Sequence, residues 1–157
     1  MKKNLFANVL MLLLAITLGV SCSEEDFSSY PPEFEDVIFE SIDGSDNLTA
    51  GTPIKAVVVQ SKKGRLLNKA TYKWECEDAS FEKQSVEVVY DKQNENPNMI
   101  LEVPYPGSYK LKFTARYNIS GQSEDVSYTK PISSGKITYT SSALYYDVVI
   151  EKNFRVK

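Results

Sequence analysis

"SYKLKFTARYNI", residues 108–119, decides the fold. Tyr109, Leu111, Phe113, Ala115 and Tyr117 alternate with Lys110, Lys112, Thr114, Arg116 and Asn118. Successive side chains of a strand point to opposite faces. A period of two therefore predicts a long, half-buried antiparallel strand, apolar side in and charged side out. Upstream, "ATYKWECE" (70–77) repeats the pattern, with Tyr72, Trp74 and Cys76 on one face and Lys73, Glu75 and Glu77 on the other.

Working outward, the same short-strand grammar recurs. "DVIFESI" (36–42), "PIKAVVVQS" (53–61), "SVEVVY" (85–90) and "MILEVP" (99–104) read as strands. They are divided by "DGSDN" (43–47), "KKGR" (62–65) and the polar loop "DKQNENPN" (91–98). After "SGQSED" come the weaker runs "VSYTKPI" (126–132) and "GKITYTS" (135–141), then the strand-like end "ALYYDVVIEKNFRV" (143–156). No helical stripe competes. Seven or more short strands punctuated by turns predict an all-β antiparallel β-sandwich.

Composition narrows the chemistry. The chain has 157 residues, ten Tyr, seven Phe and no His. Without His there is no Ser-His-Asp or Cys-His catalysis and no His-containing zinc site. Carboxylate chemistry would have to use acids such as Glu75, Glu77 or Asp78, which read as the solvent face and turn of one strand. The expectation is a non-catalytic protein without a metal or diffusible cofactor. "DGSDN" offers Asp43, Asp46 and Asn47 as a calcium candidate, but the spacing departs from known loops and these are common turn residues. Calcium is not expected.

The N-terminus reads differently. Lys2 and Lys3 precede an apolar run, Leu5 to Leu18, that closes on Gly19, Val20 and Ser21 before Cys22. This is the layout of a cleaved secretory signal. Removing residues 1–21 takes away Lys2 and Lys3 and no acid, leaving 16 basic and 21 acidic residues, a net charge of −5. An acidic chain argues against nucleic acid as partner. The roughly 136 remaining residues suit one domain. From Ser23 to Glu33 the chain is polar and ends in Pro31-Pro32, which predicts an extended tether reaching at most about 35–40 Å. The boundaries expected are 1–21 for the signal, 22–34 for the tether and 35–157 for the domain.

Residues 1–22 resemble a bacterial lipoprotein signal peptide, with Gly19 where that family usually has Leu. The resemblance implies a diacylglycerol on the Cys22 thiol and a membrane partner through that lipid anchor. "SEEDF", with Ser23, Glu24, Glu25 and Asp26, is similar to the acidic export signals of Bacteroidetes lipoproteins. It implies the outer membrane, on its cell-surface side, with the inner leaflet of that membrane as the alternative. With Cys22 acylated, Cys76 has no intramolecular disulfide partner and reads as a small buried hydrophobe.

Two features resemble immunoglobulin-like domains of the PKD-related kind. One is Trp74 on the third strand. The other is "VPYPGSYKLKF" (103–113), in which Pro106-Gly107 turns a corner before Tyr109, similar to the tyrosine whose hydroxyl bonds back to nearby backbone. "Glu75-Cys76-Glu77-Asp78" stands where PKD domains usually read Asp-Phe-Gly-Asp, so PKD itself is a relative only. Tyr72, Trp74, Cys76, Tyr109, Leu111 and Phe113 are the expected structural core. Tyr139, Tyr145 and Tyr146 are the candidate contact residues. Tyr145 and Tyr146 are neighbours on one strand and point to opposite faces, so both cannot be core on a one-sided sheet. Such a module would bind a glycan or an envelope protein, or serve as a subunit of a surface assembly joined at a strand edge.

Overall fold

The computed structural model describes residues 26–89 and 97–157. The segment read as a signal (1–21), Cys22, Ser23, Glu24 and Glu25 lie outside these residues. Twelve strands follow in order: β1 (Ser28–Ser29), β2 (Glu33–Ser41), β3 (Ile54–Lys62), β4 (Leu67–Cys76), β5 (Ser80–Phe81), β6 (Ser85–Val89), β7 (Met99–Glu102), β8 (Gly107–Ile119), β9 (Gln122–Ser123), β10 (Ser127–Ile132), β11 (Gly135–Ser141) and β12 (Tyr145–Val156).

Two antiparallel sheets pack as a sandwich. The larger runs β10-β11-β12-β8-β4-β6 and the smaller β2-β3-β7-β5. A short parallel pair, β1 with β9, sits apart from both. At the centre of the larger sheet β8 pairs with β4 on one side and β12 on the other. Its alternation is the expected one: Leu111, Phe113, Ala115 and Tyr117 are buried, while Lys110, Lys112, Arg116 and Asn118 are exposed. Phe113 is the hub of the interior. Trp74, opposite it in register, packs at 4.4 Å between ring centroids, with Tyr72 at 5.8 Å and Phe34 at 6.1 Å.

The chain after residue 120 makes half of the larger sheet. β12 pairs with β8 along its length, and β11 and β10 extend the sheet beyond it. This extension needs a close backbone approach where β11 begins. A Cβ built on Gly135 would lie 2.0 Å from the Glu151 carbonyl oxygen. Gly135→Ala is therefore expected to push β11 off β12 and cost about 1–3 kcal/mol. A urea midpoint unchanged from the parent would contradict that.

Charges cross the outer face of the larger sheet in alternating order. Lys136, Glu151, Lys112 and Glu75 stand side by side in register. Lys136 and Glu151 pair at 2.8 Å, Lys112 and Glu75 at 3.3 Å, and Lys110 also reaches Glu151. Hydrogen bonds from Lys110 and then Lys136 hold the Glu151 carboxyl down at about 2, against 4.5 unperturbed. A depressed carboxylate stabilises the fold above its unfolded pKa and loses that contribution as pH falls through the folded one. The melting temperature is expected to drop between pH 4.5 and about 2. Glu151→Gln should flatten part of that drop.

One boundary needs correction. Tether character does not extend to residue 34. Pro32 is buried, Phe34 is fully buried and β2 already begins at Glu33. The apolar ring of Phe34 draws this stretch into the core, edge-on to Phe113.

Candidate functional site

The tyrosines divide by strand parity. Tyr139 shares the inner face of β11 with Ile137, and Tyr146 shares that of β12 with Val148; both tyrosines are at most 1% exposed. The Phe34 amide donates to the Tyr139 hydroxyl at 2.8 Å. Burial pushes this phenol up to about 12. The Tyr146 hydroxyl donates to the Ser29 carbonyl at 2.5 Å and accepts from the Glu124 amide at 2.9 Å. Tyr139 and Tyr146 are thus core residues that close the sandwich, not contact residues. Tyr145 faces outward, half-buried, with the Arg116 guanidinium 4.3 Å from its ring centre. Arg116 in turn grips Asp147 through two bonds, of 2.7 and 2.8 Å.

One exposed aromatic that the sequence did not single out is Tyr128, 48% exposed. It pairs with Tyr139 in register, and its ring stacks on Tyr139 at 4.7 Å and 18°. By parity it belongs to the inner face, yet β10 is the edge of a six-stranded sheet facing a four-stranded one. The overhang leaves an inward side chain uncovered. Desolvation and then the Glu33 carboxylate raise the Tyr128 phenol, with Lys62 opposing. Glu33 and Lys62 are themselves paired at 2.8 Å, and the 42% exposed Tyr30 lies within electrostatic reach of Lys62. The result is a ledge. One ring, held flat from behind, has a carboxylate and an ammonium alongside, a combination able to stack on an apolar face while exchanging hydrogen bonds.

A second built feature is a strap, residues 26–30, laid across two loops. The Phe27 carbonyl accepts from the Gln122 amide at 2.7 Å, and the Tyr30 carbonyl from the Arg65 amide at 3.0 Å. The Ser29 hydroxyl donates to the Leu66 carbonyl at 3.2 Å. Arg65 binds the Asp26 carboxylate and carbonyl, each at 2.6 Å. Hydrogen bonds from Ser28 and then Arg65 hold the Asp26 carboxyl down at about 2. Glycines make room: a Cβ on Gly121 would lie 2.3 Å from the Phe27 carbonyl, and one on Gly64 2.6 Å from that of Tyr30. Asp26, read from sequence as part of an export signal, is here an anchor point of the strap. No periodicity marks five residues that bond to loops, which is why the sequence read them as tether.

Of the calcium candidates, Asp43 and Asn47 have partners within the domain. Asp43 accepts from the Ser41 hydroxyl at 2.5 Å and the Ser45 amide at 2.9 Å, and Asn47 takes the Lys157 ammonium at 2.6 Å, so these oxygens build a turn. Among the described residues no three His, Cys, Asp or Glu side chains converge as for a metal. Glu75 sits between Lys73 and Lys112, whose hydrogen bonds lower its pKa, the reverse of what a general acid needs. Tyr109 is half-buried, and its hydroxyl donates to the Tyr105 carbonyl at 2.6 Å.

Cys76 is half-buried rather than buried. Burial, with Asp78 and Glu77 adding, pushes its thiol up to about 11. A shift of two units lowers the thiolate fraction about 100-fold, and greater intrinsic nucleophilicity offsets part of this. In a Cys22→Ser background, Cys76 is expected to react with an aromatic disulfide reagent about tenfold more slowly than free cysteine. Reaction at the free-cysteine rate would show the site to be open.

No family model, no curated protein and no solved structure matches this chain.

Proposed function

We propose that this chain is a lipid-anchored, non-catalytic binding module of the bacterial cell envelope, carried at the outer membrane on an acylated Cys22 and immunoglobulin-like in topology. The strap is the observation that carries this reading. The chain is bonded to the domain from Asp26 onward, four residues after Cys22. A domain held from that end by a lipid needs such a fixed point of departure.

The topology supports the fold reading. The order β2-β3-β7-β5 corresponds to the A-B-E-D sheet of an immunoglobulin-like sandwich, and β12-β8-β4-β6 to G-F-C and C′. Trp74 lies on the strand equivalent to C, and Tyr109 makes the bond of a tyrosine corner at the start of the strand equivalent to F. The β10–β11 hairpin is an addition beyond G.

For the ligand, the Tyr128 ledge favours a glycan, whose ring faces are apolar and whose rim is hydroxyl. The test is a glycan-array screen of the chain from Asp26 onward, with hits confirmed by ligand-dependent melting. Tyr128→Ala should weaken a true hit about tenfold, or ~1.4 kcal/mol. A second reading, a subunit of a surface assembly joined by strand addition, rests on the outer edge of β10, which pairs with no strand among the described residues. Concentration-dependent oligomers together with a blank array would favour it. For the anchor, Cys22→Ala should move the protein from the membrane to the soluble fraction; a variant that stays in the membrane would sink the lipid reading.

A further inference from the structure

The strap fixes which end of the domain faces the lipid. Asp26 is the fourth residue after Cys22, and four steps of chain reach no farther than about 13–14 Å. The tether of about 35–40 Å expected from eleven free residues is thus cut to roughly a third.

Two large apolar side chains stand exposed at this same end. Phe27 is 59% and Leu144 68% exposed. Each is tied by its carbonyl to the end of β8 or to the residues just after it. The Ile119 amide donates to Leu144 at 2.9 Å and the Gln122 amide to Phe27 at 2.7 Å. Exposed single apolar residues need no explanation by themselves. Both stand at the end of the domain from which the chain departs toward Cys22.

The neighbouring charges point to the kind of contact. Asp26 is neutralised by Arg65, while Glu124 and Asp125 are exposed beside the strap. In the 62–65 loop Lys62 is paired with Glu33, and the exposed Lys63 is outnumbered by Glu124 and Asp125, so this end has no excess of positive charge to attract anionic headgroups, and its affinity for a bilayer must be apolar.

We infer that the strap end of the domain rests on the phospholipid bilayer that carries the anchor, with Phe27 and Leu144 entering the headgroup boundary. The inference rests on the acylation of Cys22. The lipid supplies the attachment; the two side chains set the orientation, because a short tether keeps them at high effective concentration at the surface. The opposite end, with Tyr105 69% exposed ahead of β8, then points away from the membrane. β8 has 13 residues, so the two ends lie about 40 Å apart.

The test uses the full lipidated chain reconstituted in neutral phosphatidylcholine vesicles, some prepared with brominated acyl chains that quench indole on contact. Three variants, Phe27→Trp, Leu144→Trp and Tyr105→Trp, are compared, each over the constant background of buried Trp74. Emission from positions 27 and 144 is expected to fall roughly twofold in brominated vesicles, and that from position 105 not at all. Intact mass on the same samples reports the acyl chains. Acylated protein in which 27 and 144 quench no more than 105 overturns this inference and leaves the lipid reading standing. Protein without acyl mass overturns both. Position 144 serves as the independent probe should a change at 27 loosen the strap.

Discussion

Replacing Trp74 with alanine is expected to remove about 3–5 kcal/mol of stability, the range for deleting a buried aromatic and leaving a cavity. Trp74 is 2% exposed and opposes Phe113, the ring on which Tyr72 and Phe34 also converge. Removing it exposes the hub of the sandwich to a void, and rigid strands cannot collapse to fill it. A domain of this size has only about 5–15 kcal/mol in total, so a measurable unfolded population follows. Trp74→Phe keeps most of the volume and should lose much less. Urea unfolding followed by far-ultraviolet circular dichroism reads both variants without depending on the indole. A Trp74→Ala loss below about 1 kcal/mol would show that the ring is a surface platform, not a core element.

Asp36→Ala comes next in expected size, at about 3 kcal/mol. Lys152 occupies an inward position of β12, between Ile150 and Phe154, and its side chain is only 10% exposed. Its ammonium is held by both Asp36 oxygens, at 2.7 and 2.8 Å, across the gap between the sheets. A register shift between Phe34 and Asp36 interrupts the β2 ladder at the partner residue. Taking away the carboxylate strands a charge in a nearly dry place, which costs far more than the intact pair contributes. Asp36 is itself 27% exposed, which keeps the expected loss at the low end of the range. The double replacement Asp36→Leu with Lys152→Met removes both charges and is expected to be neutral or stabilising by about 1–4 kcal/mol. If the single variant matches the parent, the lysine stem must be carrying its ammonium out to water.

The class of fold could be read from residues 108–119 and 70–77 because a half-buried strand writes its two faces into alternate letters. Trp74, Leu111 and Phe113 stand where that reading put them, and the Tyr109 hydroxyl finds the backbone four residues back. Alternation says which side chains share a face, but not what covers the face. Tyr139 and Tyr146 therefore looked available and are buried, while Tyr128 lies on the inner face and is half open because β10 overhangs the narrower sheet. Lys152 went unmarked in "ALYYDVVIEKNFRV", although parity with Ile150 and Phe154 places it inside. The strap left no trace, since its partners are mostly loop backbones, with Arg65, Tyr146 and two close-packed glycines beside them, and no periodicity marks these.

That strap also decides how tension would travel. A pull on the chain ahead of Asp26 meets the Asp26–Arg65 pair and the backbone bonds from Gln122 to Phe27 and from Arg65 to Tyr30 before it reaches β2. β2 is the edge of the smaller sheet, and an edge strand drawn from its end parts one bond after another. The strap instead divides the load between two loops rooted in β4 and β8, at the middle of the larger sheet. A load entering from the N-terminal side would be borne there, and β2 would feel it last.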